Sequence, residues 1–496
     1  MKDKSLEYKN IFKSTFLFGF VQVFNILVKV LLNKAAAIFL GVEGIGLIGI
    51  FQSTSQMLKT FFGLGVNQSA VRDISKANKD GNRESISYTI QITYKIIWVT
   101  ALVGALVTAI LSSYLSIFSF GNDKYSSAFI ILSIVVLFNI LLDGQLGILK
   151  GMRELRSLAK ASILGSASGL VVGVPLYYFW GNDGVVPTLL AIAISSVCFS
   201  ALYVRKINYI KLDISLKDAF EKSSTIIKMG IALMFVSFSG MVSEYIIKVY
   251  IASNSDVATV GIYQAGLTIV SGYFSIIIVA MMTDYYPRIS AVFDINEKLT
   301  LELNRQAKVG LILITPLIVA FMFLMPFFIQ ILYSDDFLMA SKYMRYAIFW
   351  TLIIIVSNPI DMILIAKQNT KVFLLATIIY RVLGVLISIY SFDHYGLEGL
   401  GVSMLIMGVF HITLMQGIMY KLYRISIDVK TFKMFIVSIV FVLLSFFISD
   451  ISDFVERYIL GGIIISLSLC YSVKHFNEVT DLNIYNFIKL KLKRKS

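Results

Sequence analysis

Four cations lie deep inside long apolar stretches of this 496-residue chain: Lys29, Lys34, Lys248 and Arg381. A Lys or Arg at the centre of a membrane helix costs about 2.5–3.5 kcal/mol even on lenient insertion scales. Each is therefore expected to meet a partner or a water-filled cavity rather than lipid. Lys248 follows Glu244 by four residues, a spacing that lets the two pair on one helix face. Cations gathered around a shared cavity suit an anionic solute such as a phosphate or pyrophosphate. The plainer alternative is that they form buried pairs holding helices together.

Neutral polar residues follow the same trend. Gln22, Asn25, Gln52, Gln56 and Gln264 also interrupt apolar stretches. Their amides suit sugar hydroxyls in a cavity, or equally bonds from helix to helix. His411 sits centrally in its stretch and, with Glu244, is a candidate for carrying a proton near neutral pH. Lys59, Lys95, Asp143, Asp284, Lys342 and Asp361 lie near stretch ends and are expected to reach out to the headgroups. The chain has no phosphate-binding G-x-x-x-x-G-K-[ST] loop, no metal-ligand cluster and no nucleophile–base spacing. No catalytic residue, metal or cofactor is expected, and the chain does not read as an enzyme.

The elements that must position these residues are membrane helices. Residues are 57% apolar and 15% charged, mean hydropathy is +0.80, and fourteen apolar stretches recur from Ser14 to Val473. Most are near the roughly 20 residues that cross about 30 Å of hydrocarbon as helix. The expected fold is an all-α polytopic membrane protein with about 14 transmembrane helices. Of the 44 basic residues, 34 fall in the N-terminal tail, the even-numbered gaps and the C-terminal tail, against two, Lys124 and Arg457, in the odd-numbered gaps. That asymmetry places both termini in the cytoplasm. The net charge of +14 is thereby assigned to topology and anionic lipid rather than to nucleic acid. The first stretch reads as an uncleaved membrane helix, not a signal peptide. Cys198 and Cys470 lie within apolar stretches and read as ordinary small residues.

A weak repeat runs at an offset of about 215 residues. Gly46-Leu47 parallels Gly261-Ile262-Tyr263, and Arg72-Asp73-Ile74-Ser75 parallels Arg288-Ile289-Ser290. Lys150 parallels Lys367, and Asp183-Gly184 parallels Tyr395-Gly396. The offset implies two pseudo-symmetric six-helix lobes, an N-lobe over 1–215 and a C-lobe over 216–425. Helices 13 and 14 occupy 426–475, and a basic amphipathic cytoplasmic tail 476–496. Two lobes of like orientation can rock around a central site, as transporters do. In this arrangement Lys29, Lys34 and Lys248 would face one cavity between the lobes.

One run sharpens this reading. Leu27-Val28-Lys29-Val30-Leu31-Leu32-Asn33-Lys34, then Gly41-Val42-Glu43-Gly44-Ile45-Gly46-Leu47, resembles the opening of Wzx-type O-antigen flippases. Gln52-Ser53, Gly63-Leu64-Gly65-Val66, Val71-Arg72 and Leu149-Lys150-Gly151 continue the likeness. These are polysaccharide exporters of the multidrug/oligosaccharidyl-lipid/polysaccharide superfamily. The resemblance implies that undecaprenyl-pyrophosphate-linked oligosaccharide is moved from the inner to the outer leaflet of a bacterial plasma membrane. It implies alternating access powered by an ion gradient or by downstream consumption, with a polysaccharide polymerase and a chain-length regulator as partners. O-antigen, capsule and common-antigen routes all remain open.

Two other readings compete. A drug or small-cation antiporter of the same superfamily should carry mostly carboxylates inside the membrane, whereas here Lys29, Lys34, Lys248 and Arg381 outnumber Glu244. A membrane polymerase or ligase acting on the same lipid-linked sugars needs a sizeable outward loop, and none is visible.

Overall fold

Three long helical stretches of the chain reverse on a glycine. The computed structural model describes residues 2–210, 212, 214 and 224–480, so of the amphipathic tail expected over 476–496 all but its first five residues lies outside the described residues. Within them, helices are α1 (Lys2–Phe62), α2 (Val66–Asp80), α3 (Arg83–Ile110), α4 (Ser112–Phe120), α5 (Ser126–Gly151), α6 (Leu155–Trp180) and α7 (Val185–Val204). There follow α8 (Ser224–Asn254), α9 (Val257–Leu267), α10 (Ser275–Ser290), α11 (Asn296–Leu332) and α12 (Ala340–Ala366). The described chain ends with α13 (Thr370–Tyr423), α14 (Val429–Ile448) and α15 (Phe454–Thr480), and contains no strand among the described residues.

Among the described residues, eleven helical stretches are long and apolar enough to cross a membrane. Three of them, Phe20–Phe62, Leu155–Val204 and Thr370–Tyr423, run to 43, 50 and 54 residues. Each breaks at a glycine with positive φ: Gly41 at 65°, Gly181 at 53° and Gly396 at 57°. At 1.5 Å per residue each of the three is long enough for two crossings of about 30 Å. The expected fourteen crossings follow, and the chain is an all-helical, multi-pass membrane protein.

Small residues bring the arms of these hairpins together. Gly165, Gly169 and Gly173 form a stripe on α6 whose missing side chains admit Ser196, Ile192 and Thr188 of α7. In lipid, where burying apolar surface gains nothing, such close backbone approach is a main source of helix association.

The repeat is sharper in the backbone than in the residue types. Gly181 and Gly396 share nearly the same conformation, with ψ of −136° and −139°. A Cβ on Gly184 would meet the Leu176 carbonyl oxygen at 2.4 Å, and one on Gly399 the Ser391 carbonyl oxygen at 1.9 Å. Gly184 therefore matches Gly399, three residues beyond the Gly396 to which residue identity had aligned it. Similarly Met152, not Lys150, matches Lys367. The Glu154 N–H donates to the Leu149 carbonyl and the Asn369 N–H to that of Leu364, closing two like helix ends. Both place a non-glycine residue in the left-handed region, Arg153 at φ 58° and Gln368 at φ 57°, where a glycine usually sits. The match of Gly46 with Gly261 holds in a reciprocal contact. A Cβ on Gly46 would fall 1.9 Å from the Val257 carbonyl oxygen, and one on Gly261 1.8 Å from that of Val42. Each contact maps onto the other under the offset.

Packing divides the chain into one unit of Met1–Ile262 with Leu332–Ser334, and another of Tyr263–Ile331 with Asp335–Ser496. Helix α8, the first of the expected C-lobe, thus packs with the first unit. One core of that unit joins Ile92, Ile96, Val136, Ile140 and Val197. A core of the second joins Tyr285, Leu303, Ile360, Ile363 and Met415.

Candidate functional site

In the first unit a polar seam runs between the second arm of α1 and α8. Gly49, Gln52, Gln56 and Lys59 recur at helical spacing on one face of α1 and span about 15 Å at the helical rise. Lys248 of α8 is 2% exposed. Its Nζ donates to Glu244 Oε1 at 2.5 Å and to the Gly49 carbonyl at 3.3 Å. The i,i+4 pair read from sequence is therefore formed, and a backbone carbonyl of a second helix completes it. Glu244 itself stays 41% exposed at the side chain. A buried ammonium thus stands beside a half-open carboxylate, anchored to a second helix.

At the other end of the seam Lys59 pairs with Asp143 of α5 at 3.1 Å. Gln56, Lys59, Asp143, Met234, Ser237 and Met241 line a cavity of about 220 Å³ there. The expectation that Lys59 and Asp143 reach separately for headgroups is corrected: each is the other's partner. Lys95 likewise turns inward and donates to the Ile214 carbonyl. Asp284 pairs with Arg288 at 3.1 Å, and Lys342 is exposed.

The remaining predicted residues of this unit take different surroundings. Asn25 donates to Ser162 Oγ at 2.9 Å and accepts from Ser166 Oγ at 2.8 Å, tying α1 to α6. Lys34 donates to the Tyr333 carbonyl, and Asn33 reaches the Tyr333 hydroxyl at 3.5 Å. Gln22, Lys29, Gln52 and Gln56 are exposed. The structure thus brings Gln56 together with Lys59 and Asp143, leaves Gln52 exposed on the same face of α1, and gives Lys34 a bond of its own.

The second unit holds a separate cluster around His411, on the second arm of α13. Its Nδ1 lies 3.2 Å from Ser357 Oγ, with donor and acceptor set by the tautomer. Its Nε2 lies 3.5 Å from Asp361 Oδ2, one turn further along α12. The Tyr380 ring stands 4.9 Å from the imidazole, and the Arg381 guanidinium lies over that ring at 5.4 Å. Asp361 Oδ1 and Arg381 Nε are both buried and unpartnered among the described residues. Asp361, expected to reach the headgroups, instead faces the histidine. The signal available for it was its placement four residues after Ser357, on the same helical face. Gln264 of α9 is local in its bonding: its Nε2 donates to Thr268 Oγ1 at 3.1 Å, where the π-helical turn Thr268–Tyr273 begins.

Among the described residues no group of His, Cys, Asp and Glu is arranged to hold a metal. The first constellation joins a buried cation to a carboxylate and a backbone carbonyl across two helices, and the second sets a serine hydroxyl and a carboxylate against one imidazole.

The fold coincides with that of several solved transporters. It matches a lipid II flippase MurJ in an inward closed conformation with a TM-score of 0.72, at 16% identity over 95% of this chain and 100% of that one. It matches an inward-facing multidrug resistance MATE transporter of the MOP superfamily at 0.64, with 17% identity over 79% of this chain and 95% of that one. The MATE transporter DinF-BH matches at 0.58, with 15% identity over 81% and 94%. No sequence among the curated proteins matches the chain significantly. Residues 11–293 match the model of a family described as polysaccharide biosynthesis protein. The fold and that match agree with the likeness read from residues 27–72 and 149–151, and the chain belongs to the polysaccharide biosynthesis protein family, on a fold shared with the MurJ and MATE transporters.

Proposed function

We propose that this protein is a flippase for undecaprenyl-pyrophosphate-linked oligosaccharide, moving repeat units of O-antigen or a similar surface polysaccharide across a bacterial plasma membrane. The observation that carries the reading is a polysaccharide family match on a fold shared, over almost the whole chain, with a lipid II flippase. A pyrophosphate is too costly to cross hydrocarbon unpaired, because an isolated ion there loses its hydration. Lys29, Lys34, Lys248 and Arg381 are the cations to compensate it, and the polyprenyl tail stays in lipid. Gln22, Asn25, Gln52, Gln56 and Gln264 supply amides for sugar hydroxyls. Glu244 and His411, the latter with Asp361, are the groups to exchange a proton during the cycle. Movement is by alternating access of two lobes in the inner membrane, with both termini cytoplasmic and a polymerase and chain-length regulator downstream.

Charge is what matters in this account. Lys29→Arg retains glycan export, whereas Lys29→Ala and Lys248→Ala lose it at normal membrane abundance, as judged by surface glycan and by blot. Normal export in both alanine variants would overturn the assignment. The MATE neighbours, together with the buried Asp361 carboxylate, favour one second reading: antiport of a cationic drug. That reading gains if Asp361→Asn abolishes efflux of a cationic dye while glycan export is untouched by any of the lysine changes.

A further inference from the structure

A second cavity, of about 860 Å³, opens at the basic-loop end of the second unit, lined from α11, α14 and α15. Two like-charged pairs face it at helical spacing: Arg305 and Lys308 on α11, Lys430 and Lys433 on α14. Like charges three residues apart on a helix repel. Lys308 is relieved by Asp428, whose Oδ2 lies at 2.8 Å. Arg305, Lys430 and Lys433 are exposed and make no ion pair among the described residues, and Glu297 is the one other carboxylate in the lining. The position of Lys430 and Lys433 compounds the cost. Both lie in the opening turns of α14, where Asp428 caps the helix through the Thr431 N–H and the helix dipole presents positive charge. An anion seated there would relieve the repulsion within each pair and the clash with the dipole together.

The far wall is of another kind. One turn deeper on α14 come Met434 and Val437, with Tyr471 of α15 opposite them. Cations at the mouth and apolar side chains on the membrane side complement a molecule with a phosphate at one end and hydrocarbon at the other. We infer that this cavity binds the headgroup of an anionic phospholipid, with the phosphodiester held by Arg305, Lys430 and Lys433 and the acyl chains leaving along Met434 and Val437. The inference needs only that the chain spans a bilayer and is independent of what it transports.

The test uses the purified full-length protein in neutral detergent. Bound lipid is counted by native mass spectrometry, and Tm is followed on titration with phosphatidylglycerol, phosphatidylcholine or inorganic phosphate. Phosphatidylglycerol is expected to be retained and to raise Tm, while phosphatidylcholine and phosphate do neither. Lys430→Gln/Lys433→Gln should weaken phosphatidylglycerol binding at least about tenfold, since each exposed cation near an anionic surface is worth about 1 kcal/mol. Lys430→Gln alone, at an exposed position outside the Lys308–Asp428 pair, should weaken it in the same direction if the double variant is poorly folded. Equal retention of the two lipids would overturn the inference. So would unchanged phosphatidylglycerol binding in either variant, or a Tm rise with inorganic phosphate equal to that with phosphatidylglycerol. Glycan export plays no part in the readout, so this result and that of the flippase test stand separately.

Discussion

In the first unit Lys248 finds Glu244 and a backbone carbonyl, and Lys59 finds Asp143, whereas in the second unit Asp361 and Arg381 each keep a buried polar atom unpartnered among the described residues. Buried pairs resist change, because removing one member strands the other in low dielectric. Asp361 and Arg381 lack a partner at one atom each among the described residues, so an isosteric change there breaks fewer bonds. The contrast separates a seam of completed pairs from a cluster with open hydrogen-bonding positions.

The largest expected effect breaks the seam asymmetrically. Glu244→Ala leaves the buried Lys248 ammonium with only the Gly49 carbonyl and should cost about 3 kcal/mol. Lys248→Met leaves a half-exposed carboxylate that water can serve, and should cost about 1 kcal/mol. Thermal unfolding of the two variants in detergent checks the order, and the reverse order would mean that Glu244 is not what holds Lys248. In the second unit Asp361→Asn should leave stability within about 1 kcal/mol of the parent yet abolish any response of glycan export to external pH. A fall in Tm as large as that of Glu244→Ala would erase the distinction between the seam and the His411 cluster.

A smaller effect concerns acid stability. Burial pushes the Asp428 carboxyl up, but the bonds from Lys308 and from the Thr431 N–H outweigh it and hold the group below its ordinary value. The stabilisation is therefore complete above the ordinary Asp value of about 4 and is lost as pH falls through the lowered one. Asp428 is 42% exposed, so solvent screening limits the effect to less than about 1 kcal/mol. Asp428→Asn should remove that portion of the acid sensitivity, seen as a flatter Tm profile below pH of about 5. The smallest effect bears on both units alike: Arg153→Gly and Gln368→Gly should each gain up to about 1 kcal/mol by relieving a left-handed residue. A gain in only one would show that the two helix ends are less alike than their hydrogen bonds.

Much of the fold was legible because loop charge and apolar length act locally. The turns at Asp183-Gly184 and Tyr395-Gly396 were visible as parallel points of the repeat, and the Glu244–Lys248 pair was visible because four residues on a helix are always neighbours. The Lys59–Asp143 and His411–Asp361 contacts were not, since each joins helices remote in sequence and depends on how those helices rotate against each other. The repeat was found at the right offset but mismatched at two turns, because it was aligned by residue identity. What repeats there is backbone conformation, and a left-handed residue can be Arg153 in one copy and Gln368 in the other.

Those matched helix ends also make interchangeable parts. Residues 149–154 and 364–369 close their helices with the same pair of backbone bonds and need no common side chain to do it. A chimaera carrying either hexapeptide in both places should insert and fold, although the sequences differ at every charged position. For anyone building a half-length or permuted version of this chain, the joints worth keeping are set by dihedral angle, and the spelling of the joints is free.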